Sequence, residues 1–594
     1  MRFAPCVNRF PTWARAAALS IPMATSLVAC GGGDSPADPL ARYKTQTLQW
    51  KECNSSAWQV VANLQCVDFV APLDYATPDK GDITIAAMRV PAMSDQRKGA
   101  IFFNPGGPGA NGLENGLGLL SAILQQQGAS PQVTSLQAQL LNSYDLLGFT
   151  PRGTGQINPM RCDPVSQLVT DETSAGLNRP GNQAALNANA RAEAQSCQAS
   201  PLTPHISSDA TARDMDLLRS LMGDRKISYI GYSYGTWLGA WYGRLFPERV
   251  DRMVLDSVAD VSDAHIDFNE YQPIARDTLL NGLIAPYAAR HAAIYGLGNT
   301  PQDVRAGLAA LAPELKFAIA RQTGGWMYSN ENTGQILTTL AAAQGLQQLL
   351  DQKLAVTEER IEAHTYGPYD TPANRTTIRE TAQKLSKTVD DVQSQTMNIG
   401  APDPTGVTLG PTGGGINTAV FLAIMCNDYA FPSQDPADWH ALNNRIAEEA
   451  PFFGGGALPT QACMYWPLPP VPQPPLSALQ SLGNVLMVQS QYDIATPTPG
   501  AMKGFAALPK ARMVYVTDEY NHGVFPYNTD CVDEPVLRHL LGQSPSARQT
   551  DCPASGVATP LDRIASKSEA SPASQERARL IQEFKQMTGR GAGL

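Results

Sequence analysis

The sequence predicts an α/β fold, a core of strands and helices interrupted by a large, mainly helical cap. Three observations carry that expectation. Apolar runs of strand length recur along the chain, among them Ile101-Phe102-Phe103, Ile227-Ser228-Tyr229-Ile230, Met253-Val254-Leu255 and Val485-Leu486-Met487-Val488, each followed by turn-forming or polar residues. The pentamer Gly231-Tyr232-Ser233-Tyr234-Gly235 joins the second run to a helix-like stretch from Thr236 to Phe246. Ser233 and Asp493 lie about 260 residues apart, where ordinary strands, helices and loops need only about 100. With 594 residues and 43% hydrophobic content, the chain can bury a full core and exceeds the usual size of one domain.

The G-x-S-x-G pentamer sits where a nucleophile elbow requires it, between a strand and a helix. The serine must occupy a sharp, strained turn, and a Cβ on either flank would clash as strand and helix approach. Serine is a weak nucleophile at neutral pH, so Ser233 needs a base to take its proton and an acid to orient that base. Both candidates follow in the order Ser, Asp, His. Asp493 comes just past the predicted strand Val485–Val488, and His522 follows the run Arg512-Met513-Val514-Tyr515-Val516 in a loop where a mobile base is expected. Asp256, at the end of Met253–Leu255, is a rival acid. Asp493 is preferred because the histidine strand follows it closely.

Upstream, Ile101–Phe103 runs into Asn104-Pro105-Gly106-Gly107-Pro108-Gly109-Ala110-Asn111-Gly112, a loop suited to presenting bare backbone N–H groups. The expected oxyanion hole is the N–H of Gly107 with that of Tyr234, Gly106 allowing close approach. The same loop spells G-x-G-x-x-G. Pro108 inside the fingerprint, and the lack of an acidic strand end about 20 residues on, argue against dinucleotide binding.

Asn104–Gly109, Arg152-Gly153-Thr154-Gly155 with Cys162, Gly231–Gly235, and Asp493 with Thr496-Pro497 together resemble the α/β-hydrolase peptidases of the prolyl and tripeptidyl aminopeptidase group, most closely its exported, cysteine-containing tripeptidyl branch. The resemblance runs from about Trp50 to Cys552. It implies an α/β-hydrolase fold and an aminopeptidase that releases short N-terminal peptides through an acyl-enzyme on Ser233. Two positions depart from the family pattern: Thr150-Pro151 stands where an Asp usually precedes Arg-Gly, and Asn521 replaces the Gly before His-Gly. The same three residues would also serve a carboxylesterase or lipase. A non-catalytic binding lipoprotein is a third reading, disfavoured by the full set of catalytic residue types.

The expected organisation is a leader over residues 1–29, a tether over 30–49, the first part of the core over 50–257, a cap over 258–480, the remaining core over 481–560 and a polar tail over 561–594. Residues 335–350 and 377–397 carry apolar positions at helical spacing, and the proline-rich run 467–475 reads as a stiff connector back to the core. An aminopeptidase must recognise a free ammonium group, for which a buried carboxylate is suited. Glu270 and Asp428 are the candidates in the cap.

Arg2, Arg9 and Arg15 precede the run Ala16–Ala29, too short to span a membrane, and the run ends Leu27-Val28-Ala29-Cys30-Gly31. This resembles a bacterial lipoprotein processing site with Cys30 as the acylated residue. The protein is therefore expected at the cell envelope, on its periplasmic or extracellular face, or alternatively secreted. Cys6 and Cys30 apart, eight cysteines remain, an even number suited to disulfides in an oxidising compartment. Of 105 connectivities, short-range closure suggests Cys53 with Cys66, Cys162 with Cys197, Cys426 with Cys463 and Cys531 with Cys552. No C-x-x-C or H-E-x-x-H motif supports a metal, and no cofactor is expected. A formal charge of −10 disfavours nucleic acid and anionic lipid surfaces, which leaves a peptide or small ester as the substrate and the Cys30 lipid as the only membrane contact. The tail reads as a peripheral helix or a disordered segment without a role.

Overall fold

A computed structural model describes residues 38–53, 63–113, 117–262, 268–353, 355–412, 416–429, 431, 433–455, 458, 460–555 and 572–590. The leader and Cys30 lie outside the described residues, as does the glycine run 413–415. In chain order the strands are β1 (Lys51–Glu52), β2 (Gln65–Pro72), β3 (Asp82–Val90), β4 (Gly99–Asn104), β5 (Tyr144–Phe149), β6 (Val165–Leu168), β7 (Ile227–Tyr232), β8 (Val250–Asp256), β9 (Pro402–Val407), β10 (Val485–Ser490), β11 (Arg512–Thr517) and β12 (Gln549–Pro553). Ten of them form one sheet in the order β1-β2-β3-β5-β4-β7-β8-β10-β11-β12. From β5 to β12 every neighbour pair is parallel, whereas β1, β2 and β3 extend the β5 edge antiparallel. The central strands β4, β5, β7 and β10 are buried along their whole length, as continuous apolar runs between helical layers should be.

This topology gathers the chemistry at one end. The C-terminal ends of β4, β7, β8, β10 and β11 are neighbours, and they lead respectively into the glycine loop, Ser233, Asp256, the Asp493 turn and the His522 loop. Open parallel sheets bind ligands at this carboxyl edge.

The region read as a cap builds its own hydrophobic cluster around the helices Thr333–Asp351 and Arg375–Met397, and this cluster takes in Ile494, Ala495 and Tyr520 of the core. Cap and core therefore meet on the Asp493 and His522 loops. Two features cross the boundary drawn from the sequence. Strand β9 pairs antiparallel with β6, so residues assigned to the first part of the core form a ribbon with the cap region. The helix Thr418–Asp428, apolar on nearly every face, is buried with Tyr234 and Trp237 in the main core cluster, since an all-round apolar helix cannot sit on a surface.

Both ends of the described chain are also docked more firmly than expected. Within the expected tether, Tyr43 donates to Pro78 O (2.6 Å), and Gln46 exchanges two hydrogen bonds with the Val70 backbone. Residues 572–590 of the tail form a helix, one of the two alternatives expected, and its apolar face is docked. The helix Pro572–Arg590 sinks Leu580, Ile581 and Phe584 into the cluster that contains Phe103 and Tyr232, and the Phe584 ring meets Tyr232 edge-on at 5.1 Å between centroids. The spacing 580, 581, 584 is one apolar helical stripe, which accounts for the docking.

Four disulfides join the pairs suggested by short-range closure: Cys53–Cys66, Cys162–Cys197, Cys426–Cys463 and Cys531–Cys552. The Arg152-Gly153 motif has a structural explanation. Buried Arg152 donates two hydrogen bonds to Asp214 (2.8 and 2.6 Å) and others to the carbonyls of Leu73, Pro72 and His205. A buried ion pair is tolerable when its remaining donors are satisfied in this way. Thr150, at the position that departs from the family pattern, accepts from Ala86 N–H at 3.1 Å and so extends the β3–β5 pairing by one residue.

Candidate active site

Ser233 links β7 to the helix Tyr234–Leu245 with φ 57° and ψ −128°, a backbone region that non-glycine residues rarely occupy. The flanking glycines make the turn possible: a Cβ on Gly231 would lie 2.4 Å from Gly235 O, and one on Gly235 would lie 2.7 Å from Asn104 O. Ser233 N–H donates to Asp256 O at 3.0 Å, which ties the turn to β8. The Ser233 Oγ is buried and has no hydrogen-bond partner among the described residues.

The imidazole of His522 faces Asp493, with Nδ1 at 2.9 and 3.0 Å from the two carboxylate oxygens. The opposite side of that carboxylate accepts from the N–H groups of Ala495 (2.8 Å) and Thr496 (3.0 Å) and from Thr496 Oγ1 (3.1 Å). Such a carboxylate is fixed in orientation and can hold one imidazole tautomer. Ser233, Asp493 and His522 are each 1% exposed or less.

Where a mobile loop was expected, the His522 loop is densely hydrogen-bonded along its backbone. Six successive N–H groups are engaged: Tyr520 and Asn521 on Glu519 Oε1, His522 on Tyr328 O, Gly523 on Ser257 Oγ, and Val524 and Phe525 on the two oxygens of Asp256. The rival acid Asp256 thus braces the loop behind the histidine. Burial pushes its carboxyl up to about 7 even though two N–H bonds act in the other direction.

The cap supplies the other side of the brace. Tyr328 takes the His522 N–H at 3.0 Å and sets its ring edge-on to the imidazole, 6.0 Å between centroids. Asn330 donates its backbone N–H to Asn521 Oδ1 (2.8 Å) and its side-chain amide to Glu519 (2.9 and 3.0 Å). Asn521, the second departure from the family pattern, is therefore a latch between the base loop and the cap, which a glycine could not be. Nothing near Tyr328 or Asn330 in the sequence marked them. Asn521 itself was the one legible signal.

The glycine loop runs beside the elbow. Gly106, at φ 99°, brings bare backbone so near that a Cβ would lie 2.5 Å from Tyr232 O and 2.8 Å from Ser233 Cβ. Its N–H is spent on Asn104 Oδ1 at 3.0 Å. Gly107, the next residue and the expected oxyanion donor, has φ 103°. The other expected donor, Tyr234, opens the elbow helix, and its hydroxyl bonds Ser208 Oγ at 2.6 Å.

The two carboxylates suggested for a substrate ammonium are placed otherwise. Asp428 is fully buried and accepts from Ser208 N–H at 2.9 and 3.2 Å, where it serves the N-terminus of the helix Ser208–Leu221. It buttresses Tyr234 through Ser208, and burial pushes its carboxyl up to about 7. Glu270 pairs with Arg445 at 2.7 Å with its side chain 33% exposed. Both carboxylates are engaged within the protein, and the sequence could not reveal partners 220 and 175 residues away. Among the described residues no cluster of His, Cys, Asp and Glu is arranged to hold a metal.

A serine on a strained strand-to-helix turn, with an Asp–His pair at neighbouring strand ends, defines a protein of the serine hydrolase class on an α/β-hydrolase fold. Residues 99–296 match the family described as alpha/beta hydrolase fold, and residues 450–552 match that described as TAP-like protein. The chain is 29% identical to a tripeptidyl aminopeptidase of Streptomyces coelicolor, across 86% of this chain and 87% of that protein. It is 25% identical to the serine protease Hip1 of Mycobacterium tuberculosis, across 89% and 95%. It is 27% identical to a carboxylesterase B of the same species, across 88% and 92%. The chain is thus a serine hydrolase on an α/β-hydrolase fold, similar to peptidases and a carboxylesterase over most of its length and to TAP-like proteins in its C-terminal part.

Proposed function

We propose that the protein is an exported aminopeptidase that removes short peptides, of tripeptidyl or prolyl type, from the N-terminus of its substrates through an acyl-enzyme on Ser233. Ser233 Oγ attacks the scissile carbonyl carbon while His522 Nε2 takes the hydroxyl proton. His522 then hands that proton to the leaving amine as the C–N bond breaks. Water, deprotonated by the same imidazole, attacks the ester and regenerates Ser233. Asp493 holds the proton on Nδ1 and stabilises the transient imidazolium, and the N–H groups of Gly107 and Tyr234 receive the oxyanion. The observation that carries the reading is the Asp493 carboxylate, held by three donors on one side and set 2.9 Å from His522 Nδ1 on the other. The peptidase specificity draws on the tripeptidyl aminopeptidase and Hip1 relatives.

A second reading, carboxylester hydrolysis, is favoured by the relative named carboxylesterase B, because the same residues serve both reactions. A panel of tripeptide amides with free amines, their N-blocked counterparts, and short and long acyl esters separates the two. The aminopeptidase should cleave free-amine peptides at least tenfold faster than blocked ones. Faster cleavage of blocked peptides rejects the aminopeptidase, and cleavage of esters alone establishes the esterase.

Export and an anchor on Cys30 belong to the same proposal. Four disulfides support an oxidising compartment, and no described helix is long and apolar enough to cross a membrane. Cells fed a labelled fatty acid should label the parent protein but not Cys30→Ser. Equal labelling of both would exclude the anchor at that residue.

A further inference from the structure

A cavity of about 770 Å³ opens between the cap and the C-terminal helix. Its walls include Arg276 and Arg321 from the cap, Tyr328 beside the imidazole, and Gln582 and Gln586 from the C-terminal helix, with no Asp or Glu among the lining residues. The chain as a whole carries 54 acidic and 44 basic residues. The cavity is thus a locally basic, amide-rich space in an acidic protein.

Arg276 is held close to the proposed chemistry. Its helix, Phe268–Leu279, docks on the acid turn through Gln272, whose side chain donates to Ala495 O at 2.7 Å. One turn further along, Arg276 donates from one terminal nitrogen to Tyr328 OH at 3.1 Å. Tyr328 in turn receives the His522 N–H. The Arg276 Nε is buried without a hydrogen-bond partner, and the guanidinium pairs with no carboxylate among the described residues. A buried Nε–H without an acceptor is costly until one reaches it, and the planar fork of a guanidinium matches a carboxylate bidentately.

We propose that this cavity is a subsite for a carboxylate of the substrate, with Arg276 as its charged ligand and the amides of Gln582 and Gln586 closing the far wall. The carboxylate comes from an Asp or Glu side chain near the scissile bond or from the C-terminus of a short peptide. The C-terminal helix, docked through Phe584, thereby acquires a role in selecting substrate. The inference rests on the peptidase reading and adds a preference to it.

The test uses the full-length protein and two pairs of free-amine peptides. One pair differs by Glu against Gln within an otherwise neutral C-terminal amide, and the other by a free C-terminal carboxylate against the amide. In at least one pair the acid should have a kcat/KM about tenfold or more above its neutral isostere, as a charge-assisted hydrogen bond permits. The pair that responds identifies the source of the carboxylate. Arg276→Gln should bring that ratio to about one, and Arg276→Lys should keep part of it. Because the ratio is taken within each variant, a loss of folded protein cancels. Cleavage of the neutral peptides by the parent with ratios near one in both pairs overturns the subsite and leaves the peptidase standing, as does an unchanged ratio in Arg276→Gln. Failure to cleave any of the four peptides overturns both.

Discussion

Replacing Ser233 with alanine is expected to lower kcat by about 10⁴- to 10⁶-fold while leaving the protein folded. The loss is large because no other group supplies the attacking oxygen, and what remains is the modest assistance of the oxyanion donors and substrate binding. The fold should survive because the Ser233 Oγ has no hydrogen-bond partner among the described residues, so its removal strands no buried donor or acceptor. Alanine inherits the strained φ of 57° without relieving or worsening it. Steady-state rates on an activated ester and thermal melts of the two proteins check both halves. A residual rate within tenfold of the parent would remove Ser233 from the mechanism, and a melting point many degrees lower would show that the hydroxyl holds the turn.

The second large effect separates the two buried acids. Asp493→Asn is expected to cost about 10⁴-fold in kcat, from tautomer chemistry rather than lost packing. The side-chain oxygen of asparagine will stay with the N–H groups of Ala495 and Thr496, which turns its amide nitrogen toward His522 Nδ1. Two donors then face each other, so the ring gives up its proton at Nδ1 and carries it on Nε2, where it cannot accept from serine. Asp256→Asn should behave differently. Its carboxylate touches the Val524 and Phe525 N–H groups and not the imidazole, so the loss should appear mainly in thermal stability, with kcat lower by about tenfold. Measuring kcat and melting temperature for both variants decides the matter. A larger kcat loss for Asp256→Asn would make it the partner of His522 and recast Asp493 as a brace.

The parts of the molecule legible in the sequence are those whose signal is local. Apolar runs ending in glycine or polar residues marked β4, β7, β8, β10 and β11, and the elbow glycines marked the turn at Ser233, because backbone crowding leaves no alternative there. Asp493 was distinguishable from Asp256 through its nearness in sequence to the histidine strand. What escaped depends on partners far away in the chain. Asp256 reads as a strand-end acid until the Val524 and Phe525 N–H groups, 268 and 269 residues on, are seen to fill it. Asp428 looks like an open cap carboxylate until Ser208 claims it. The C-terminal helix was underestimated because its apolar stripe is brief and its surroundings polar, although residues 580, 581 and 584 carry helical spacing. The pairing of β6 with β9 joins short, weakly apolar strands more than 200 residues apart, and no local pattern announces it.

The most direct test of the proposed mechanism is to treat the purified protein with a fluorophosphonate, digest it and locate the adduct by mass spectrometry. A single phosphonylated serine at position 233, lost in Ser233→Ala and formed far more slowly in His522→Ala, is the expected result. An adduct on a different serine, or full hydrolytic activity in protein that has taken up no label, would contradict it.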